Sequence, residues 1–502
     1  MNRKKIYENT YLLFGSIFII FVISLIQNLY FSFNPDSSWL ITVAEELLSG
    51  KVLGVDLLET NPPLSSWLYV PGVLLAKLTG LRAEIGVSLV LYCLTFGICL
   101  FALALNERAT LLSKSLMNGL CLFFVFVTCF YYQVHFGQRE HFALILTLPY
   151  ILVSSARSEK RTDNLPYYFF IISGLTMGIA GCIKPVFFII PFLCNISYAF
   201  SRKSLKGLFW IENFIVVGTV LVYLFVVFVF YPEFIRYFND FILVHYLPRY
   251  YYTVIQIIFT YHSIQYLFLL LTVCLLSLFF KPSILQKHLL LSSIGFFLAF
   301  LIQRKGFTYH TYPFLVLLYM ACFLMCFTII QTKTADFLKI VTLFVMGILV
   351  IQAATDQFTR WPVTQRARKA EAFVKSIVPH PKIASYAAIF GGIFPLVRDL
   401  DGTWVAPFHS IIFATLDPER QVRVLNGDYD APYVEADKWL IRRISEDVVK
   451  NKPDIIMTDD WPQWMAFVLS VPEAKEALSG YVFQVSLDGL DIWVRKDLVD
   501  SK

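Results

Sequence analysis

The chain has 502 residues, of which 57% are hydrophobic, 17% aromatic and only 16% charged, a balance outside that of water-soluble domains. Charge is uneven: residues 1–355 carry 24 Lys and Arg against 15 Asp and Glu, whereas residues 356–502 carry 18 against 21. A wholly soluble enzyme is excluded, no nucleic-acid partner is expected, and a boundary near residue 356 separates a membrane part (1–355) from a soluble part (356–502).

In chain order, MNRKK precedes an oily run of about 20 residues with no small-residue cleavage site, which predicts an uncleaved first span. Further apolar windows fall at 85–105, 116–134, 141–156, 167–182, 186–200, 208–231, 264–280, 288–303, 312–331 and 339–355, so about 11 transmembrane helices are expected in a polytopic α-helical membrane protein. Lys and Arg collect in short, plain loops such as Arg3, Lys4 and Lys5; Arg157, Lys160 and Arg161; and Arg202, Lys203 and Lys206. That bias places the N-terminus in the cytoplasm and, with an odd number of spans, the C-terminal part outside it, here the periplasmic side of a bacterial inner membrane.

The opposite loops mix acids, bases, histidines and aromatics with Pro or Gly, which points to a functional outer face. The soluble part alternates helical patterns (366–378, 436–452) with short apolar runs (382–390, 454–458, 481–487, 491–497), the pattern of a small α/β domain with buried strands between helices. No Gly-rich phosphate loop opens its helices. All nine cysteines lie in or beside apolar runs, with no CxxC pair, and read as packing residues.

The residues able to carry chemistry begin with 34-NPDSSWLITVAEELLSG-50. Asp36 follows the first span and opens an amphipathic helix, so Asp36, Ser37 or Ser38 could cap that helix; Asp36 could equally be a general base. Within 56-DLLETNPPLSSWLYVPG-72, Pro62 and Pro63 stiffen the chain, and the aromatics around them suit the headgroup boundary, so Glu59 is held on a rigid loop there. In 137-GQREH-141 three consecutive ionisable residues, Arg139, Glu140 and His141, stand at the mouth of a span. Lys184-Pro185 interrupts an oily stretch, either as a turn or as a lysine aimed at an anion. In 303-QRKGFTYHTYP-313, Arg304, Lys305 and His310 surround a glycine, while Arg249 sits among tyrosines in 245-HYLPRYYY-252 and reads first as an interface anchor. No metal-binding motif is present, and no cofactor is expected; a divalent ion shared by Asp36 and Glu59 is left open.

The acid after the first span, the following helix and the D…E…NPPLSSWL segment, together with many spans and an external C-terminal domain, resemble the integral-membrane glycosyltransferases of the GT-C fold. The protein O-mannosyltransferases and the bacterial aminoarabinose transferases are the nearest groups. Over residues 30–72 the match is close, and the general architecture extends over about three quarters of the chain. The resemblance implies inverting transfer of a sugar from a polyprenyl-phosphate donor to a hydroxyl of a glycan, lipid or protein acceptor. It makes Asp36 the catalytic base, with Glu59 beside it. For the donor's phosphate the outer face offers Arg139 and Lys184, and Arg304, Lys305 and His310 resemble the basic–aromatic motif that members of the family carry before a late span; Glu140, His141 and Arg249 are further site candidates. Asn61 stands where relatives often have a lysine, which opens the question of what partners Glu59. A transporter or lipid-linked sugar flippase is the competing reading; it ranks lower because the charges gather at span ends on one side and paired halves are absent. A mere anchor for the external domain would need only one span.

Overall fold

The structure, a computed structural model, describes residues 3–131, 133–247, 252–260, 263–332, 336–358, 367–388, 391–411, 423, 426–429 and 434–499. Arg249 lies outside the described residues. The chain divides into two compact units that interleave in sequence: residues 1–30, 74–226 and 252–360 form one, and residues 31–73, 227–251 and 361–502 the other.

The first unit is all helical. Among the described residues seven helices are long and apolar enough to cross a membrane, the shorter apolar helices include Tyr167–Ile183 and Ser263–Phe279, and every apolar window of the sequence falls on a helix. The helix Arg139–Ser158 is buried along nearly its whole length. It packs against Ala83–Ala109, Tyr167–Ile183, Ile284–Gln303 and Tyr312–Gln331. A helix surrounded in this way can afford polar groups only where they are paired. At one end the Arg157 guanidinium meets both oxygens of buried Glu212 at 3.0 Å and lies over the Phe170 and Trp210 rings at 4.3 and 4.8 Å. The opposite end presents Arg139, Glu140 and His141.

The second unit is built on a five-stranded sheet of β1 (Lys382–Ser385), β2 (Thr403–Trp404), β3 (Ile455–Asp459), β4 (Tyr481–Leu487) and β5 (Leu490–Arg495), in the order β2-β1-β3-β5-β4. β2, β1 and β3 are parallel, and β3 is buried at every residue, as expected of strands covered by helices on both faces. β4 and β5 depart from the alternating α/β pattern: they form an antiparallel hairpin whose two turn residues, Asp488 and Gly489, both have positive φ. That is the two-residue turn whose twist matches the strands, and Asp-Gly is its usual sequence.

The first loop belongs to this unit. Its helix Pro35–Leu48 packs on the helix Ile393–Asp399, where Arg398 grips both oxygens of Glu45 at 2.8 and 3.0 Å and donates to Thr42 Oγ1 at 3.0 Å. Leu58 N–H donates to Pro407 O at 2.8 Å.

Candidate functional site

In the second unit, Asp36 occupies the first turn of the Pro35–Leu48 helix and is half-buried. It does not cap the helix, and neither Ser37 nor Ser38 does. The cap is Asn34, whose Oδ1 accepts from Ser37 N–H at 2.9 Å, with Pro35 at the first helical position. Proline prefers that position because its missing N–H would have no helical partner, which pushes the cap one residue upstream. Asp36 is therefore released from capping and lies at the positive end of the helix dipole, where a carboxylate is favoured. Replacing Asn34 by Ala should cost about 1 kcal/mol, read as a lower Tm of the purified protein, with Asp36 retained.

Trp39, three residues on and so on the same helix face, donates its indole N–H to Glu59. Glu59 is 1% exposed; its other oxygen accepts from Asn61 N–H at 2.7 Å and from the Asn61 side-chain amide. The partner left open by the sequence is thus Asn61 itself: a neutral amide two residues away closes a local turn around the carboxylate. The Trp39 indole is seated edge-on against Phe394 and His409, with ring centroids 4.9 and 5.5 Å away, so Glu59, the first-loop helix and the C-terminal domain share one packed node. Glu59 is thus held from two sides by Trp39 and Asn61, and Asp36 is the more exposed of the two acids.

In the first unit, the helix Tyr167–Ile183 stops at Lys184, whose extended backbone and the following Pro185 start a new helical turn. Between these two helices the ammonium group donates to Glu140, to Gln303 Oε1 at 3.0 Å and to His310 Nε2 at 2.9 Å. Its charge also lies 5.7 Å from the Tyr309 ring centroid. Accepting from Lys184 requires His310 Nε2 to be without a proton, which puts the neutral ring's hydrogen on Nδ1. Burial pushes the Lys184 ammonium down to about 8; Glu140 opposes this, while Arg139 and Lys305 reinforce it. Three cations, of which Arg139 is buried and Lys184 and Lys305 half-buried, thus act on one another and on one buried carboxylate, an arrangement that a bound anion relieves.

The remaining predicted residues divide by where their side chains go. Arg139 and Glu140 are buried. His141 is also buried and accepts from Gly137 N–H at 3.2 Å through Nδ1, with its ring against Phe136 and Tyr312, so it fastens the loop that presents the other two. Arg304 is exposed and ends the helix Ile284–Gln303 in a left-handed conformation (φ 51°); of its neighbours, Gln303 accepts from Lys184 and Lys305 acts on Lys184 through its charge.

Two crystal structures of ArnT from Cupriavidus metallidurans superpose on the chain. The apo state does so with a TM-score of 0.55 and 11% identity, over 96% of this chain and 97% of that one. The form bound to undecaprenyl phosphate gives 0.53 and 12%, over 97% and 98%. The chain has the ArnT fold. No family model and no curated protein sequence matches it. The likeness to GT-C transferases read from the first loop therefore holds for the fold, as does a polytopic helical membrane protein with a C-terminal sheet domain.

Within this ArnT-like fold the sequence reading missed Asn34, Trp39, Asn61 and Gln303. Two of them carried a signal: Asn34 precedes a proline that favours the first helical position, and Gln303 is an amide ending an apolar helix, where a polar group needs a partner.

Proposed function

We propose that the protein is an inverting glycosyltransferase that moves a sugar from a polyprenyl-phosphate donor to an acceptor hydroxyl at the outer face of the cytoplasmic membrane. The observation that carries this reading is the half-buried cationic cluster around Lys184 in a fold shared with a protein crystallised with undecaprenyl phosphate. Lys184, Arg139 and Lys305 hold the donor's phosphate by charge-assisted hydrogen bonds. Glu140, Gln303 and His310 keep the Lys184 ammonium aimed while no phosphate is bound.

Asp36 takes the proton of the acceptor hydroxyl as its oxygen attacks the anomeric carbon. The bond from that carbon to the phosphate oxygen breaks on the opposite face, giving inversion, and the leaving polyprenyl phosphate gains a negative charge, which is the kind of charge that cationic side chains stabilise. The acceptor is a glycan, lipid or protein hydroxyl on the side that holds the C-terminal domain, with membrane lipids surrounding the helical unit. No resident metal is needed in this scheme, and Glu59 is poorly suited to hold one because both its oxygens already accept N–H donors.

Reconstitution in proteoliposomes with a synthetic polyprenyl-phosphate sugar and extracted envelope glycans tests the reading. Sugar should appear on the acceptor with stoichiometric release of polyprenyl phosphate; donor uptake or flipping without any transfer would refute it.

A further inference from the structure

The second unit contains a cavity of about 660 Å³ that none of the residues discussed as catalytic lines. Its walls come from the first loop at Gly54 and Leu58, from the segment 233–245, and from the helix Glu435–Asn451. The volume is within the roughly 300–1,000 Å³ of small-ligand sites.

The wall is closely fitted. Gly54 has φ +86°, and a Cβ placed there would stand 2.6 Å from the Glu233 carbonyl oxygen, so only glycine lets the loop reach that backbone. The Tyr237 hydroxyl donates to Leu58 O at 3.3 Å; burial, and then the Glu59 carboxylate, push this phenol well up, so it remains a donor. The floor is aromatic: Tyr237 and Phe241, one helical turn apart, stack at 5.5 Å and 14°, and Trp439 covers Phe241 at 4.7 Å. Trp439 is nevertheless 38% exposed. Rings that served only to pack the helix would bury the indole and leave no space beside it.

The polar lining decides the ligand's chemistry. Arg236 is paired with Glu233 at 2.8 Å, Arg443 with Glu446 at 2.7 Å and Arg442 with Glu473 at 3.8 Å, while Asp240 and Glu435, the latter 3.5 Å from Lys438, also face the cavity. An anion entering here would meet carboxylates as well as cations. A sugar ring, by contrast, offers an apolar C–H face for an exposed indole and hydroxyls that both donate to acids and accept from arginines. We infer that this cavity is a saccharide-binding site, taking a sugar unit of the acceptor glycan. That assignment of the ligand to the acceptor rests on the transferase reading above; the saccharide chemistry of the cavity does not.

The test uses the full chain in detergent. Saturation-transfer NMR with maltose, lactose and chitobiose, without any donor, should show transfer to ring protons of at least one disaccharide. In Trp439→Ala, whose indole is partly exposed and whose fold is checked by circular dichroism, affinity should fall about tenfold, the loss of a typical aromatic anchor. With a working donor, the same variant should raise the acceptor KM about tenfold while the donor KM stays fixed. No transfer to any of the three sugars, equal binding by Trp439→Ala, or displacement of the sugar by inorganic phosphate would each overturn the inference. Trp439-dependent sugar binding in a protein that transfers no sugar would instead sink the transferase reading and leave the saccharide site standing.

Discussion

Asp36→Asn should lower kcat for sugar transfer by about 10²–10⁴-fold while leaving the affinity for polyprenyl phosphate unchanged. The substitution is isosteric, and Asp36 neither caps its helix nor lies fully buried; the Tm and circular dichroism of the variant check that the fold is retained. Asn34 keeps the cap through Ser37 N–H, and Trp39 still fastens Glu59. What disappears is the half-buried carboxylate in the first turn of the first-loop helix, the group proposed to take the proton of the attacking hydroxyl. A variant that transfers sugar at the parent rate would remove Asp36 from the mechanism. Single-turnover kinetics beside a binding titration separates the two effects, because only the chemical step should slow.

The second large effect concerns Lys184. Lys184→Met should abolish binding of a short-chain polyprenyl phosphate and also destabilise the protein by about 3–5 kcal/mol, since it leaves Glu140 buried without its ion-pair partner. The double variant Lys184→Met with Glu140→Gln removes both charges; it should regain most of the Tm yet bind no better than the single variant, which separates ligand recognition from fold maintenance. Binding should also depend on pH. With the Lys184 ammonium held down to about 8 in the free protein, the cation is fully present below pH 7 and is lost as pH rises through 8. A phosphate favours the charged form, so affinity should be level near pH 7 and fall by up to about tenfold per pH unit above 8. The ligand's own second ionisation, near 6, is complete over that range. Lys184→Arg, charged throughout, should flatten the curve; an unchanged slope in that variant would assign the titration to another group.

Much of the helical unit was legible because a spanning helix must be apolar over its whole length, so each window announced itself. The candidate residues were legible for the complementary reason: Arg139, Glu140, Lys184 and His310 are ionisable groups at the ends of oily runs, and such groups need partners. Their partnership was not, because Lys184 meets Gln303 and His310 across more than a hundred residues of chain and nothing local specifies that pairing. Arg304 and Lys305 look equivalent in the sequence, yet the left-handed helix end at Arg304 leaves its side chain exposed. In the first loop, Asp36 and Glu59 stood out as isolated acids. Their different roles depend on Trp39 and Asn61, ordinary residues whose task appears only once the loop is folded on itself and Trp39 rests on Phe394 and His409. The grip of Arg398 on Glu45 joins residues 353 apart, beyond any local pattern. The β4–β5 turn carries the usual two-residue hairpin pair, Asp488-Gly489, a signal that the reading of strands alternating with helices passed over.

Electron cryomicroscopy of the protein with polyprenyl phosphate bound tests the central claim most directly. The phosphate oxygens should lie within about 4 Å of Lys184 Nζ, with Arg139 and Lys305 turned toward them and the Lys184 contact to Glu140 lengthened. A phosphate seated elsewhere, with the Lys184, Glu140, Gln303 and His310 contacts unchanged, would contradict the assignment of this cluster as the donor site.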